Sequence, residues 1–532
     1  VNVTRRVFGA GALATGLAAG IKPTRAQGEP RRGGTLVATW GGGEPQACYV
    51  PAGGGSSPTF SSSKLFERLG NRQMSGEFVG ELAESWKPAE DFKSYTVKLR
   101  QGVKFHDGKP MTADDVVYSI DEIWKKYAAG AALTDYTGIE APGANTVIVK
   151  FAKPVPEFFF ASLLCGSVNY IVPKHVYAGS DPITNAANNA PIATGPWKFK
   201  EWVRGSHFEY VKNDDYWRKG FPYMDRLIIR YVRDPAGRAA AIESGEIQIG
   251  VFNPVALSDI KRLTGTGKFV ATPKGYEESV WSTSLECNMR NPVFAKREVR
   301  QAMFHAVDRN LIAKTVYYGY ARPGTSPIFS PNKEFFTPDT YKTGFDPKKA
   351  ASLLDAAGYP KKGNAPRFSV NLLAAGWFTE NGKIGAILKQ GLEDIGVAVN
   401  LTVPDRPTSI KRIYTDYDFD LAISNQANPS EPVPSTTQYY TTDGIKKGLP
   451  FRNASGFSKP EMDALVDKIK VETDPARRKA LVIEFQKMAT LEAPNLPLLE
   501  LESITVASTG VQNHSNDPNY LAATWYDIWL SA

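Results

Sequence analysis

The sequence predicts an α/β fold, on three observations. Leu227 to Tyr231, Ala236 to Ser244 and Ile247 to Val251 read as strand, helix and strand, a crossover that implies parallel pairing. Residues 368–423 repeat the alternation as strand, helix, strand, helix and strand. Residues 66–194 lack it and read as a β-rich section, with strands near 95–100 and 146–151.

The elements follow in chain order. Thr4-Arg5-Arg6-Val7-Phe8 resembles a twin-arginine export motif, and a Gly/Ala-rich run from Gly9 to Ile21 is too short to span a bilayer. Lys22 and Arg25 beside the expected cleavage after Ala26 fit the twin-arginine route, and no cysteine there implies a lipid anchor. Residues 1–26 are therefore expected to be a signal peptide and the mature chain periplasmic. Thr35 to Trp40 reads as a first strand, running into a loop of Gly41, Gly42, Gly43, Glu44 and Pro45 whose bare backbone would admit a ligand. Residues 52–63 are low in complexity and expected to be mobile.

In residues 94–118, SYTVKLRQGVKFHDGKPMTADDVVY, Tyr95, Val97 and Leu99 alternate as a half-buried strand. Gly102 and Gly108 bracket a turn, and Thr112 with Asp115 forms a capping box for a helix through Ile120. His106-Asp107 is a turn pair and not an acid/base pair. Trp281 to Asn288 is a strand, and Arg297 to Val316 a helix. Asp346-Pro347 opens a helix that Gly358 ends, and Asp474-Pro475 opens another. Within 368–423 the strands are Phe368 to Leu373, Val397 to Val403 and Phe419 to Ile423; the helices are Lys383 to Ile395 and Ile410 to Asp416.

Composition excludes several function classes. The formal charge of the 532-residue chain is +8, but the leader holds Arg5, Arg6, Lys22 and Arg25 and no acid. The mature chain is only mildly basic, without the Lys/Arg clusters of a nucleic-acid binder. The 3 cysteines, Cys48, Cys165 and Cys287, match no zinc spacing and read as buried thiols. The 5 histidines show no metal-binding helical spacing, so no metal site built mostly by side chains is expected, a chelated metal held by few contacts staying open, and no cofactor is expected. A secreted periplasmic hydrolase is the rival reading. Against it, no Gly-x-Ser-x-Gly elbow occurs, and Gly265-Thr266-Gly267-Lys268 lacks the upstream glycine and following Ser/Thr of a phosphate loop.

Several stretches together resemble the family 5 extracellular solute-binding proteins of bacterial ABC importers. They are residues 94–118, Thr194-Gly195-Pro196-Trp197, Asp215-Tyr216-Trp217, Val299-Arg300-Gln301-Ala302 and Asp308-Arg309. The family usually has Asp where this chain has Gln248. The resemblance implies a two-lobed α/β periplasmic binding protein of type II with a hinge of two crossings, and no enzymatic activity. Lobe I would be 33–282 plus 498–532, including the β-rich subdomain about 66–194, and lobe II 283–497. It implies as partners a small-molecule solute and an inner-membrane ABC permease, and a monomer is expected.

The same resemblance places the ligand among Trp40, Gly41, Gly42 and Glu44 of the first loop, Trp377 and Phe378, and Asn425, Gln426 and Asn428 after the strand at 419–423. Tyr439-Tyr440 is a secondary candidate. Peptide-binding relatives carry an Asp in that last loop for the peptide's α-ammonium. Here Asn425 or Asn428 stands instead, so free peptides are not expected as the main ligand. A neutral, hydroxyl-rich or amide-bearing solute is the expectation.

Overall fold

The computed structural model describes residues 29–51, 56–130, 132–278 and 280–531. The signal peptide expected at 1–26 lies outside them. In chain order the strands are β1 (Thr35–Trp40), β2 (Gly70–Arg72), β3 (Phe78–Gly80), β4 (Ala83–Pro88), β5 (Ser94–Leu99), β6 (Tyr136–Gly143), β7 (Thr146–Phe151), β8 (Trp197–Val203), β9 (His207–Lys212) and β10 (Arg226–Arg230). Then come β11 (Ile249–Val251), β12 (Phe269–Thr272), β13 (Val280–Cys287), β14 (Ala321–Pro323), β15 (Phe368–Ala374), β16 (Val397–Thr402), β17 (Leu421–Asn428), β18 (Asn495–Leu501) and β19 (Thr505–Ser508).

The first large sheet has the order β12-β19-β11-β1-β10-β9-β8. Both strands of the predicted crossover run parallel to β1, which lies between them: Ala38 faces Ile229 on one side and Ile249 on the other. The crossover helix Pro235–Glu243 starts where Asp234 accepts from the backbone N–H groups of Ala236 and Gly237. Gln248 accepts from the Val37 N–H at 2.7 Å, so a neutral amide ties β1 to the start of β11.

The second large sheet has the order β14-β18-β13-β17-β15-β16. Asp346 and Asp474 cap their helices, accepting from Lys349 N and Arg477 N. Three expectations for this region are corrected. The helix expected over 297–316 is two, Arg297–His305 and Arg309–Thr315, because Asp308 stops the first and caps the second. The helix expected from Ile410 begins earlier, at Arg406, capped by Asp405. The strand expected to end at Ile423 runs on to Asn428. Its polar end persists because β13 is polar opposite it: Ser424, Asn425 and Gln426 pair with Ser284, Thr283 and Ser282.

The β-rich section holds the sheet β4-β5-β7-β6. At its turn, Gly102 and Gly108 take φ of +74° and +86°. The Asp115 carboxylate accepts from the Thr112 N–H at 2.8 Å, closing the capping box. The His106 ring accepts from Ala193 N and donates to the Gly195 carbonyl; burial pushes its pKa down to about 4, so it is a neutral strut. Residues 56–62, expected to be mobile, instead form a helix burying Pro58 to Ser62. All three cysteines are free thiols. Among the described residues no helix is long and apolar enough to cross a membrane.

Candidate functional site

The chain passes from the first sheet to the second between β12 and β13, and returns between β18 and β19. Two adjoining cavities lie beside these crossings, and Phe78 and Glu278 line both. The larger, about 690 Å³, is walled by the β2–β3 turn, the crossings and Ser330–Glu334. The smaller, about 540 Å³, lies between the β-rich section at Tyr127 and Phe159–Asn169 and the loop that follows β17, Pro429–Gln438. Both volumes suit a small organic molecule.

Half of the charged residues in these walls have an ion-pair partner. Glu278 pairs with Arg72 and accepts from the Ser430 hydroxyl at 2.8 Å, so one carboxylate in the crossing joins β2 to the loop after β17. Glu431 receives two hydrogen bonds from the Arg478 guanidinium, at 2.8 and 3.1 Å. Glu502 meets Arg322 at 3.0 Å. Burial raises the Glu500 carboxyl above its ordinary range, opposed by two hydrogen bonds from Ser330. An aromatic chain also spans the walls: Phe158 meets Phe78 and Phe335 edge-on, each at 5.0 Å, and the Arg72 guanidinium lies over the first two rings.

One guanidinium differs. Arg452, half-buried in the wall of the smaller cavity, has no hydrogen bond, ion pair or ring contact among the described residues; Asp443 and Tyr439 feel its charge only through space. Two buried polar atoms in that wall, Ser162 Oγ and Gln438 Oε1, lack hydrogen-bond partners among the described residues. Sequence reasoning did not single out Arg452, Glu278 or Gln438. The available signal was the run Phe451-Arg452-Asn453, a cation beside an aromatic residue with no acidic residue within five positions along the chain.

None of the nine residues expected at the site lines either cavity. Trp40 is buried at the end of β1, stacked on Phe60 at 5.6 Å, with its Nε1 unpartnered. A Cβ on Gly41 would come within 1.9 Å of the Phe252 carbonyl oxygen, and one on Gly42 within 2.0 Å of the Trp40 ring. Both glycines thus admit the protein's own atoms. Glu44 accepts from Trp202 Nε1 at 2.7 Å and from Gly205 N at 3.0 Å. Asn425 is enclosed: its Oδ1 accepts from Trp377 Nε1 and Asn381 Nδ2, and its Nδ2 donates to Thr283. Asn428 donates to the Pro327 carbonyl. Phe378 meets Trp281 edge-on at 5.9 Å, and Gln426 is buried with Nε2 unpartnered. Tyr439 and Tyr440 are buried, Tyr440 donating to the Asn495 carbonyl.

Glu201, His207 and Glu209 bring ligand atoms within 4.8 Å of one another on β8 and β9. Glu209 is already held by Arg226 at 2.8 Å, which opposes cation binding there.

Comparison with known proteins places this geometry in context. The family model of the bacterial extracellular solute-binding proteins, family 5 (middle part), matches residues 77–447. A putative ABC transporter peptide-binding protein of Brucella ovis is 29% identical over 433 residues, 79% of this chain and 77% of that protein. The oligopeptide-binding protein AppA of Bacillus subtilis is 27% identical over 493 residues, 89% and 87% of the two chains. Among solved structures, AgaA from A. tumefaciens R10 in complex with agropinic acid superposes with a TM-score of 0.75 at 26% identity, covering 94% of this chain and 99% of that one.

Proposed function

The chain belongs to the bacterial extracellular solute-binding proteins, family 5, and we propose that it serves an ABC importer by capturing a small organic solute without a free α-ammonium. The observation that carries the solute reading is the state of the acids in the smaller cavity. Glu278 and Glu431 are both taken by arginines, Arg72 and Arg478. Asn425 and Asn428 spend their amides inside the protein. An ammonium entering this cavity meets no free carboxylate among the described residues, and a charged hydrogen bond forgone weakens binding by about one to two decades. Similar proteins are described as binding oligopeptides, glutathione and agropinic acid, so relatedness alone does not choose the solute.

In this reading lobe I comprises 33–282 and 498–532, lobe II comprises 283–497, and the two crossings act as the hinge. Solute touching both lobes favours the closed form by its differential affinity, and that form engages the permease. The protein acts as a periplasmic monomer, exported by the twin-arginine route. Nothing in the family's described role supports the hydrolase reading.

Calorimetry with di- to pentapeptides and their N-acetylated forms tests the solute reading. Acetylation is expected to cost no affinity; tight binding that vanishes on acetylation contradicts it. Small-angle scattering is expected to show a smaller radius with solute, and the solute should be recovered unchanged. Recovery of an altered solute would move the protein to the hydrolase reading. Changing Arg5 and Arg6 together to Lys is expected to leave precursor in the cytoplasm, and unimpaired export would exclude the twin-arginine route.

A further inference from the structure

We infer that the solute is an organic acid whose carboxylate is held by Arg452 in the smaller cavity, an inference that rests on the solute-binding reading above. A guanidinium always carries its charge and presents five donors in a planar fork, which a carboxylate fills with two parallel bonds. Every other arginine named in the two cavity walls has such a partner: Arg72 has Glu278 and Arg322 has Glu502. Arg478, behind the wall, has Glu431. Arg452 alone among them has no hydrogen-bonded carboxylate among the described residues, Asp443 acting on it only through space, although it is half-buried and lines the cavity. A half-buried cation without an acceptor forgoes a charged hydrogen bond. Such an arrangement is explained when the acceptor arrives with the ligand.

The rest of the wall restricts the acid further. Among the described residues Arg452 is the only basic residue lining this cavity, and the two acids that share the lining keep their own partners. One positive charge matches a monovalent carboxylate. A phosphate dianion would need further donors and would face the partly negative Glu278 and Glu431 pairs. Phe159, Leu163 and Val433 supply an apolar surface for the body of the solute. Gln438 Oε1 is a buried acceptor without a donor, and Ser162 Oγ a buried hydroxyl without a partner. They suit a solute hydroxyl or amide N–H. The solute is thus an acid with an apolar body and at least one hydroxyl or amide, and no free amine.

The test uses the mature protein and its Arg452→Gln and Arg452→Lys variants. Probes are N-acetylated dipeptides, sugar acids and aliphatic hydroxy acids, each beside its own carboxamide, with neutral sugars and free dipeptides as further arms. Thermal shift finds binders and calorimetry measures them. An acid from this set is expected to bind wild type about 10- to 100-fold more tightly than its carboxamide. Arg452→Gln should remove that difference while leaving the melting point without solute unchanged, and Arg452→Lys should restore part of it. An acid and carboxamide that bind wild type equally overturn the inference without reference to any variant. So does an acid that binds Arg452→Gln as tightly as wild type, or a set in which no acid binds. A neutral sugar that binds and closes the protein overturns the acid, and a free dipeptide that binds more tightly than its N-acetylated form overturns the absence of an amine, both leaving solute capture standing; chemical alteration of a bound probe overturns solute capture itself.

Discussion

Asn425 at the end of β17 and the polar residues around Arg452 are of similar chemical kind, but their hydrogen bonding differs. Asn425 is tied at both ends of its amide to Trp377, Asn381 and Thr283. Arg452, Ser162 and Gln438 line a cavity, and among the described residues no hydrogen bond reaches the Arg452 guanidinium, Ser162 Oγ or Gln438 Oε1. A closed network contributes to the fold, because each member satisfies another that would otherwise be buried unpaired. An open set contributes little to the fold and is available to a ligand. Residue type does not separate the two groups; the partners do.

Four substitutions, with Gly43→Ala as a control for the first, probe that difference, from the largest effect on stability to the smallest. Gly41→Ala forces a methyl against the Phe252 and Asn253 carbonyl oxygens, at 1.9 and 2.4 Å. It is expected to cost about 3 kcal/mol or more in denaturant unfolding, whereas Gly43→Ala, with nothing within 4 Å, should be neutral. Equal effects at the two positions would mean that the loop is held open for a ligand. Asn425→Ala should cost about 1–3 kcal/mol by orphaning the Trp377 and Asn381 donors. Glu286, on β13, has one oxygen bonded to Ser455 N and the other unpartnered, and burial raises its pKa to about 7. Its folded value lies above the unfolded one. Its contribution to stability is therefore full below the ordinary carboxylate range and lost as pH rises through about 7. Melts from pH 4 to 8 should fall more steeply for wild type than for Glu286→Gln; parallel profiles would contradict this. Arg452→Gln without solute should change stability by no more than about 0.5 kcal/mol. A larger loss would place Arg452 in the closed group.

Much of the fold was legible because local rules and tertiary packing agree. The alternation at Tyr95, Val97 and Leu99 gives β5, and Asp-Pro at 346–347 and 474–475 gives capped helix starts. The end of β17 was not legible, since Ser-Asn-Gln reads as loop until it is set against Ser282-Thr283-Ser284, about 140 residues earlier, which only the sheet brings together. Gly41 and Gly42 signalled close approach correctly, but what approaches is Phe252 and the Trp40 ring. The cavity walls were the least legible. Arg72, Glu278 and Ser430 meet from three distant segments, and the significance of Arg452 lies in a partner it lacks, which no local pattern records.

One paired measurement tests the division between the two groups most directly. An acid that binds wild type is titrated calorimetrically into Arg452→Gln and Asn425→Ala, and both variants are melted without it. The predicted result is a crossed pattern: Arg452→Gln keeps its melting point and loses about 10- to 100-fold in affinity, while Asn425→Ala melts lower and binds as wild type once folded. If Arg452→Gln instead melts lower and keeps its affinity while Asn425→Ala loses it, the solute sits at the end of β17 and this account is wrong.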